Sequence, residues 1–497
     1  MARIAVIGAG TGAMAAAARL SVAGHRVTVY ERSPTHGGSL GRHARDGFVF
    51  DTGPGLLHLP AVYRDLFVKT GKESLEQCVT LTQVDPASRH LFADGTEVSL
   101  PNASRAGVTG ALDRALGAGA GARWGDFLDR AGAAWNRSRR PLLEEPLPED
   151  GTPPLRDPYP AVRSRRLLRP ARQARTVAEI GAWELADPRL AALLDGHALA
   201  YGLDPRRAPA SAAFLPYMEE TFGTWYVAGG MRALADAVHA RCVARGVEFV
   251  FGAEAVRITE KDGRAAGLEL ADGTSVEADH VVLGAPPAPG LLPVPDGGRP
   301  AAGPSVPGRF VVMLALRGGR EAGAVHRTVV HTGDPSAEQE AVFGGRTAEQ
   351  PTVTVLRPDD PATRPDGEHE AVTLTVTVAP HGPVDWTDAA LRERFRDTVI
   401  GRAAEAVPGL RERMLHTEVR TPAETAADTG AEGGSVPAPA LAGADGGYLH
   451  AGNRTPLPGL YRAGGWAHPG GGTAHAGMSG ALVAGLVVEG DGFRGSQ

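Results

Sequence analysis

An apolar run, Ile4-Ala5-Val6-Ile7, leads directly into Gly8-Ala9-Gly10-Thr11-Gly12-Ala13 and then into an alanine-rich stretch reaching Val22. Residue types at this spacing suit a pyrophosphate. Gly8 permits a tight strand-to-helix turn, Gly10 admits backbone close to phosphate oxygens, and Ala13 is small enough for helix and strand to pack. The free amides at the helix start, Thr11 and Gly12 among them, then face the anion. Glu31 closes the unit about 20 residues on, where a carboxylate accepts from a ribose 2′-hydroxyl and repels a 2′-phosphate. Arg32 stands beside it at the nucleoside end.

A second set of glycines decides which dinucleotide is expected. Gly37-Gly38 and Ser39 follow Glu31 closely, and then come Gly47-Phe48-Val49-Phe50-Asp51-Thr52-Gly53-Pro54-Gly55. A nicotinamide dinucleotide needs no such second pair. The longer flavin does, because backbone must pass close to both its pyrophosphate and its ring. FAD is therefore the expected cofactor. At the far end, strand Leu460–Ala463 runs into Gly464-Gly465-Trp466 and Gly470-Gly471-Gly472, and a helix begins near Thr473. Amides at that helix start can face the flavin edge where negative charge gathers on reduction.

Glu31-Arg32, Gly37-Gly38 and the Gly47–Pro54 run together resemble the N-terminal signature of the carotenoid desaturase family, the phytoene-desaturase-like branch of the amine-oxidase-type flavoproteins. Asp187–Tyr226 with Gly229-Gly230, His381–Trp386 and Pro458–Gly472 are similar to later stretches of that family, in the same order along nearly the whole chain. The resemblance implies that Gly465, Trp466, Gly472, Thr473 and Ala474 contact ribityl and ring, and that Val256 pairs with adenine through its backbone. It also implies hydrogen removal across a C–C bond of an apolar polyene, with hydride passing to flavin N5 and oxygen or a quinone as final acceptor. The chain departs from the pattern in three places. Ser39 stands where an Arg or Lys is usual, leaving Arg42 as the nearest basic residue, Thr473-Ala474-His475 replaces an apolar-proline step, and Trp466 is bulkier than the small residue often found there.

His475, one turn into the last helix, is the candidate proton acceptor; without that role it is a helix-surface or interdomain histidine. His468, before Pro469, reads as structural. Glu219 and Glu220 read as solvent-facing residues beside an apolar patch, and Asp51 completes the ionisable candidates. Phe222, Trp225 and Tyr226 either wall an apolar tunnel or are simply core aromatics. The arginine-rich stretch 156–175, with Leu167-Leu168 among its charges, would suit a peripheral contact with anionic lipid, or is a solvated surface. Three other roles remain open on these residues: a redox-neutral polyene isomerase or saturase, an oxidase of an amine or secondary metabolite, and a binding-only escort of prenylated partners.

The elements that must position these residues follow from pattern. Glycine turns between apolar strands and alanine-rich helices predict an α/β fold: a Rossmann-like FAD-binding domain with an interwoven α+β substrate domain. The FAD-binding part is expected from 1–100, 226–290 and 455–497, and the substrate part from 101–225 and 291–454. Residues 177–202 read as one helical stretch and 422–447 as a mobile loop. Size agrees, since 497 residues exceed what one core supports. A net charge of −6 argues against nucleic acid as partner. Cys78 and Cys242 are too few and too far apart for a disulfide framework or a metal cluster, so no metal is expected and a reducing cytoplasm fits. With an apolar strand starting at Ala2 or Arg3, no signal peptide is expected.

Overall fold

The computed structural model describes residues 1–148, 155–162, 171–288, 290–292 and 306–496. Its first sheet has five parallel strands in the order Glu248–Phe251, Arg26–Glu31, Arg3–Ile7, His280–Leu283 and Leu460–Arg462. Arg3–Ile7 lies in the middle and is buried from Ile4 to Ile7. A strand covered on both faces reads as a continuous apolar run, which is why this one is legible in the sequence. The chain returns to this sheet from three distant regions, as an interwoven two-part fold requires.

Helix Thr11–Val22 packs against helix Thr473–Glu489. Small residues make the approach possible. A Cβ on Gly12 would stand 2.6 Å from the Ala476 carbonyl oxygen. The first and last motifs of the chain are thereby neighbours in space.

The second sheet has seven strands in the order Met414–Arg420, Gly308–Arg317, His369–Val378, Val353–Leu356, Arg327–Val330, Ser88–Leu91 and Glu97–Leu100. Ser88–Leu91 and Glu97–Leu100 thus sit in this sheet, although sequence placed residues up to 100 with the first. Alternation assigns its two faces. Phe310, Val312, Leu374 and Val376 point to one side and pack with Trp386, Phe395 and Val399. Arg327, Leu356, Thr373 and Met313 form one row across the other side, with Val329, Thr354, Thr375 and Val311 as the next. Within this sheet Glu370 is fully buried and accepts from Arg357 (2.7 Å and 3.1 Å) and Arg413 (2.7 Å).

Two stretches differ from their sequence reading. The expected helical run over 177–202 is broken: Val177–Ile180 passes through one π-turn, Gly181–Leu185, and Pro188–Ala200 starts anew. Ala186 is left-handed and the Asp187 side chain accepts from the Arg189 amide, so the chain restarts on its own cap before Pro188. Residues 422–447 are not a plain loop. Thr421 and Glu424 form a capping box on helix Pro422–Thr429, and Ala440, Leu441 and Ala442 are buried. The small-residue composition concealed that signal.

Among the described residues no helix is long and apolar enough to cross a membrane. Residues 163–170, which carry Arg163, Arg165, Arg166 and Arg169 of the expected lipid contact, lie outside the described residues.

Candidate functional site

The glycines of the N-terminal motif build a surface made of backbone alone. Gly8, at φ +90°, donates to the Tyr30 carbonyl at 2.8 Å, so the turn depends on a left-handed residue. Gly37 donates to the Ala9 carbonyl at 2.8 Å. A Cβ on Gly38 would stand 3.0 Å from Gly10 Cα, whereas nothing lies within 4 Å of the Cβ position of Gly10 itself. The two glycine turns therefore meet edge to edge and leave one side open. Gly10 precedes helix Thr11–Val22 without a side-chain cap, so the first amides remain free for an anion. Gly53 passes over Ser39, whose carbonyl oxygen is 2.0 Å from where a Cβ would be, and Gly55 lies against Leu356 Cδ1. Pro54 between them is exposed, as is Arg42.

Glu31 ends the second strand beside the glycine turn. Its carboxylate accepts from the Ala9 amide at 2.6 Å and the Ser33 amide at 2.8 Å, and each oxygen keeps capacity for another donor. Arg32 is engaged with the second half of the molecule, donating to the Ala427 carbonyl at 2.8 Å. Val256 sits at a bulge between Ala255 and Arg257, outside the ladder register, so its backbone is not used in that pairing.

The C-terminal motif closes the same surface. A Cβ on Gly12 would be 2.7 Å from Gly464 Cα, which places the two motifs in contact. Gly465 and Trp466 are half-buried, and Gly472 leads into helix Thr473–Glu489 with no side-chain cap. Tyr63 donates to the Thr473 carbonyl at 2.9 Å and holds the helix start, and Ala474 is buried. His475 is also buried, and burial, with His468 and His450 nearby, pushes its pKa down to about 4. It is a neutral imidazole at physiological pH. His468, fully buried, bonds through Nε2 to the Glu145 carbonyl at 3.0 Å.

A long dinucleotide fits this arrangement. Side-chain-free backbone flanks the open side of Gly10, two uncapped helix starts converge from opposite ends of the chain, and a carboxylate waits at the nucleoside end. Gly8–Ala13, Glu31, Gly37-Gly38 and the start of the last helix are the residues able to hold FAD.

Asp51 is an anchor. Its carboxylate accepts from the Met231 amide at 3.0 Å and the Arg232 amide at 3.4 Å, fastening the Gly53–Gly55 segment to helix Met231–Ala244. Burial raises its pKa to about 6 despite those amides. Tyr226 donates to Asp360 at 2.8 Å and lines a cleft with Gly53, Gly55, His326 and Leu356.

The three aromatics expected as one wall are separated. Strand Thr224–Val227 turns successive side chains to opposite faces. Trp225 thus points away from Tyr226, donates to the Phe222 carbonyl at 3.0 Å and carries the Arg64 guanidinium 5.5 Å from its ring centre. Phe222 is 36% exposed. Only Tyr226 belongs to the cleft.

Helix Pro188–Ala200 lies along the threonine side of the second sheet. Thr377 donates to the Leu199 carbonyl at 2.9 Å and Arg309 to the Ala200 carbonyl at 2.6 Å, tying helix to sheet. His197, Tyr201, Thr354, Thr373 and Thr375 nevertheless keep partial exposure, so they border open space. A second cavity of about 190 Å³, lined by Arg89, Glu321, Thr328 and Glu405, opens on the opposite face of the sheet and shares no residue with the glycine motifs.

Glu219 and Glu220 are not in solvent. Glu219 is 8% exposed and accepts from Arg327 at 2.9 Å, with His58 Nε2 at 3.7 Å. Burial opposes its ionisation, but His58 and Arg327 hold it well below the usual carboxylate range. Glu220 accepts from Trp124 at 2.7 Å and burial pushes it up to about 7. Sequence reading missed His58, His197, Tyr201 and Arg327, because they come from three separate regions of the chain and only His197 and Tyr201 share a helical spacing.

Comparison with known proteins agrees with this geometry. Residues 14–488 match the family described as flavin containing amine oxidoreductase. The chain is 30% identical over 506 residues to a 4,4'-diapolycopene oxygenase of Methylomonas sp, covering 98% of each chain. It is 30% identical to a hydroxyneurosporene desaturase of Cereibacter sphaeroides, covering 98% of this chain and 97% of the relative. Among solved structures, an oxidoreductase from Methanosarcina mazei has a TM-score of 0.62 at 18% identity, covering 97% of this chain and 99% of the other. A putrescine oxidase has a TM-score of 0.60 at 17% identity, covering 98% and 99%. Those two establish the fold alone. With both glycine motifs in contact and end-to-end relatives among the carotenoid desaturases, the chain belongs to the flavin containing amine oxidoreductase family, in its carotenoid desaturase branch, as an FAD-dependent oxidoreductase.

Proposed function

We propose that this chain removes hydrogen across a C–C single bond of an apolar, carotenoid-type polyene. The observation that carries the reading is the end-to-end relationship to enzymes named for carotenoid substrates, set beside a likeness to putrescine oxidase that stops at the fold. The partly exposed threonine rows beside helix Pro188–Ala200 support it, because methyl-bearing side chains bordering open space suit an apolar chain.

FAD, when bound, supplies the hydride acceptor. The protein's part is to hold and shield. Gly8–Ala13 and Gly37-Gly38 bind the pyrophosphate with backbone, Glu31 accepts from the ribose, and Val256 meets adenine. The amides of Thr473 and Ala474 present the positive end of a helix to the ring edge. Gly53–Gly55 and Tyr226 border the cleft through which substrate reaches it. Neutral His475 keeps the buried side of that helix free of charge. Oxygen or a quinone takes the electrons onward, and the arginine-rich 156–175 stretch brings the protein to the lipid where a polyene dissolves.

The test is anaerobic mixing of the flavin-loaded protein with acyclic polyenes and, separately, with putrescine. Bleaching of the flavin band by a polyene, with one new double bond in the product, is expected. Bleaching by the amine alone, or polyene conversion without flavin reduction or any acceptor, overturns the reading.

A further inference from the structure

The cleft bordered by Gly53 and Gly55 has one histidine in its lining, His326. It stands just before strand Arg327–Val330, and its carbonyl accepts from the Arg357 amide at 2.8 Å. Leu356, the residue before that amide, lies against Gly55, so the backbone fixes His326 beside the candidate cofactor surface. The His326 ring packs on Tyr226, with centroids 4.9 Å apart and planes inclined at 57°. No described residue hydrogen-bonds its ring nitrogens, and the residue stays partly exposed.

The other ionisable side chains of the cleft are engaged elsewhere. Asp51 accepts from two helix amides, and Tyr226 donates to Asp360 at 2.8 Å. His475 and His468 are buried and lie outside this lining. Removing hydrogen across a C–C bond releases a proton as well as a hydride, and the proton needs an acceptor. We propose that His326 is that catalytic base: its imidazole takes the proton from the substrate carbon next to the one that loses hydride. This deepens the proposed function and rests on it.

One C–H bond breaks with its hydrogen and both electrons passing to FAD, which leaves a cationic carbon. The neighbouring C–H bond then supplies the electron pair of the new double bond, and its proton goes to a ring nitrogen of His326. Burial, with Arg320 nearby, pushes the pKa of His326 down to about 4, against the opposite pull of Asp359 and Asp360. The ring is therefore neutral at physiological pH and has a lone pair to offer. A weak base suffices, because hydrogen beside a cationic carbon is far more acidic than an imidazolium. Asp359 and Asp360 favour the imidazolium once formed, and the largely exposed Asp359 leads the proton to water.

Two measurements test the role, the first without turnover. In flavin-loaded protein photoreduced under anaerobic conditions, diethyl pyrocarbonate should modify His326, as located by peptide mass mapping, and an acyclic polyene in detergent micelles should suppress that labelling. The second is anaerobic single-turnover reduction of the oxidised flavin by the same polyene. His326→Phe, which keeps a ring against Tyr226, and His326→Ala should each slow it at least about a hundredfold. Polyene dissociation constants should stay within about threefold of wild type. Added imidazole should restore the rate of His326→Ala in proportion to its neutral fraction and leave His326→Phe slow, which a merely structural ring would not do. If His326→Ala fails to fold, His326→Phe decides. Labelling that the polyene leaves unchanged, near-wild-type reduction in a folded variant, or a slow His326→Ala that imidazole does not restore overturns the proposal. Failure of any polyene to reduce the wild-type flavin would overturn the desaturase reading instead, and the labelling is read independently of it.

Discussion

A Cβ atom on Gly480 would lie 2.3 Å from the carbonyl oxygen of Gly12, so the first and last helices of the chain touch through two glycines. Everything proposed for the cofactor depends on this crossing, because it sets Gly10 and Gly472 around one open space. Gly480→Ala should separate the helices, lower stability by about 3 kcal/mol as an overpacked core does, and weaken FAD binding at least about tenfold. Gly125→Ala is the control: it lies in helix Ala120–Arg139 with nothing within 4 Å of its Cβ position. It should be neutral or slightly stabilising. Thermal unfolding and flavin fluorescence titration read both.

Glu31 spends its carboxylate on the Ala9 and Ser33 amides and, in the proposed site, on a ribose hydroxyl. Charge-assisted bonds of this kind are worth about 1.5–3 kcal/mol. Glu31→Ala should therefore weaken FAD about tenfold or more, and Glu31→Gln, which keeps one acceptor, should weaken it less. Competition by ADP-ribose should fall in parallel. Unchanged affinity in both variants would place the nucleoside elsewhere.

Asp51 gives a pH signature. Its native pKa of about 6 lies above the ordinary value of 3.8. Between those values the native state holds a proton that the unfolded state has released, so stability falls as pH rises through this window and levels off above it. The loss amounts to about 3 kcal/mol. Asp51→Asn has no such titration and can still accept from the Met231 amide. Its stability relative to wild type should climb between about pH 4 and pH 6 and stay constant beyond. Urea unfolding of both proteins at several pH values measures the difference, and a flat difference would rule out the raised pKa.

Glu370 is fully buried between Arg357 and Arg413. Glu370→Ala leaves two guanidinium groups facing each other without a counter-charge, which should cost about 3–5 kcal/mol. Chemical denaturation should show that loss, while the flavin content of the protein still folded stays at the wild-type ratio. The triad lies in the second sheet and contributes nothing to the glycine surface.

Local residue order was enough for the dinucleotide unit. Gly8, Gly10, Ala13 and Glu31 sit in one strand–turn–helix–strand, where spacing dictates geometry because neighbours in sequence are neighbours in space. The final helix starts at Thr473, as expected, for the same reason: glycine turns and continuous apolar runs are local signals. The capping box at Thr421 and Glu424 was equally local, but small residues on either side hid it. Contacts between distant elements needed the tertiary structure. Only folding shows Glu219 facing Arg327 108 residues away and Asp51 capping a helix 180 residues away. A charged residue's burial depends on which elements pack over it, and no spacing within a single element records that.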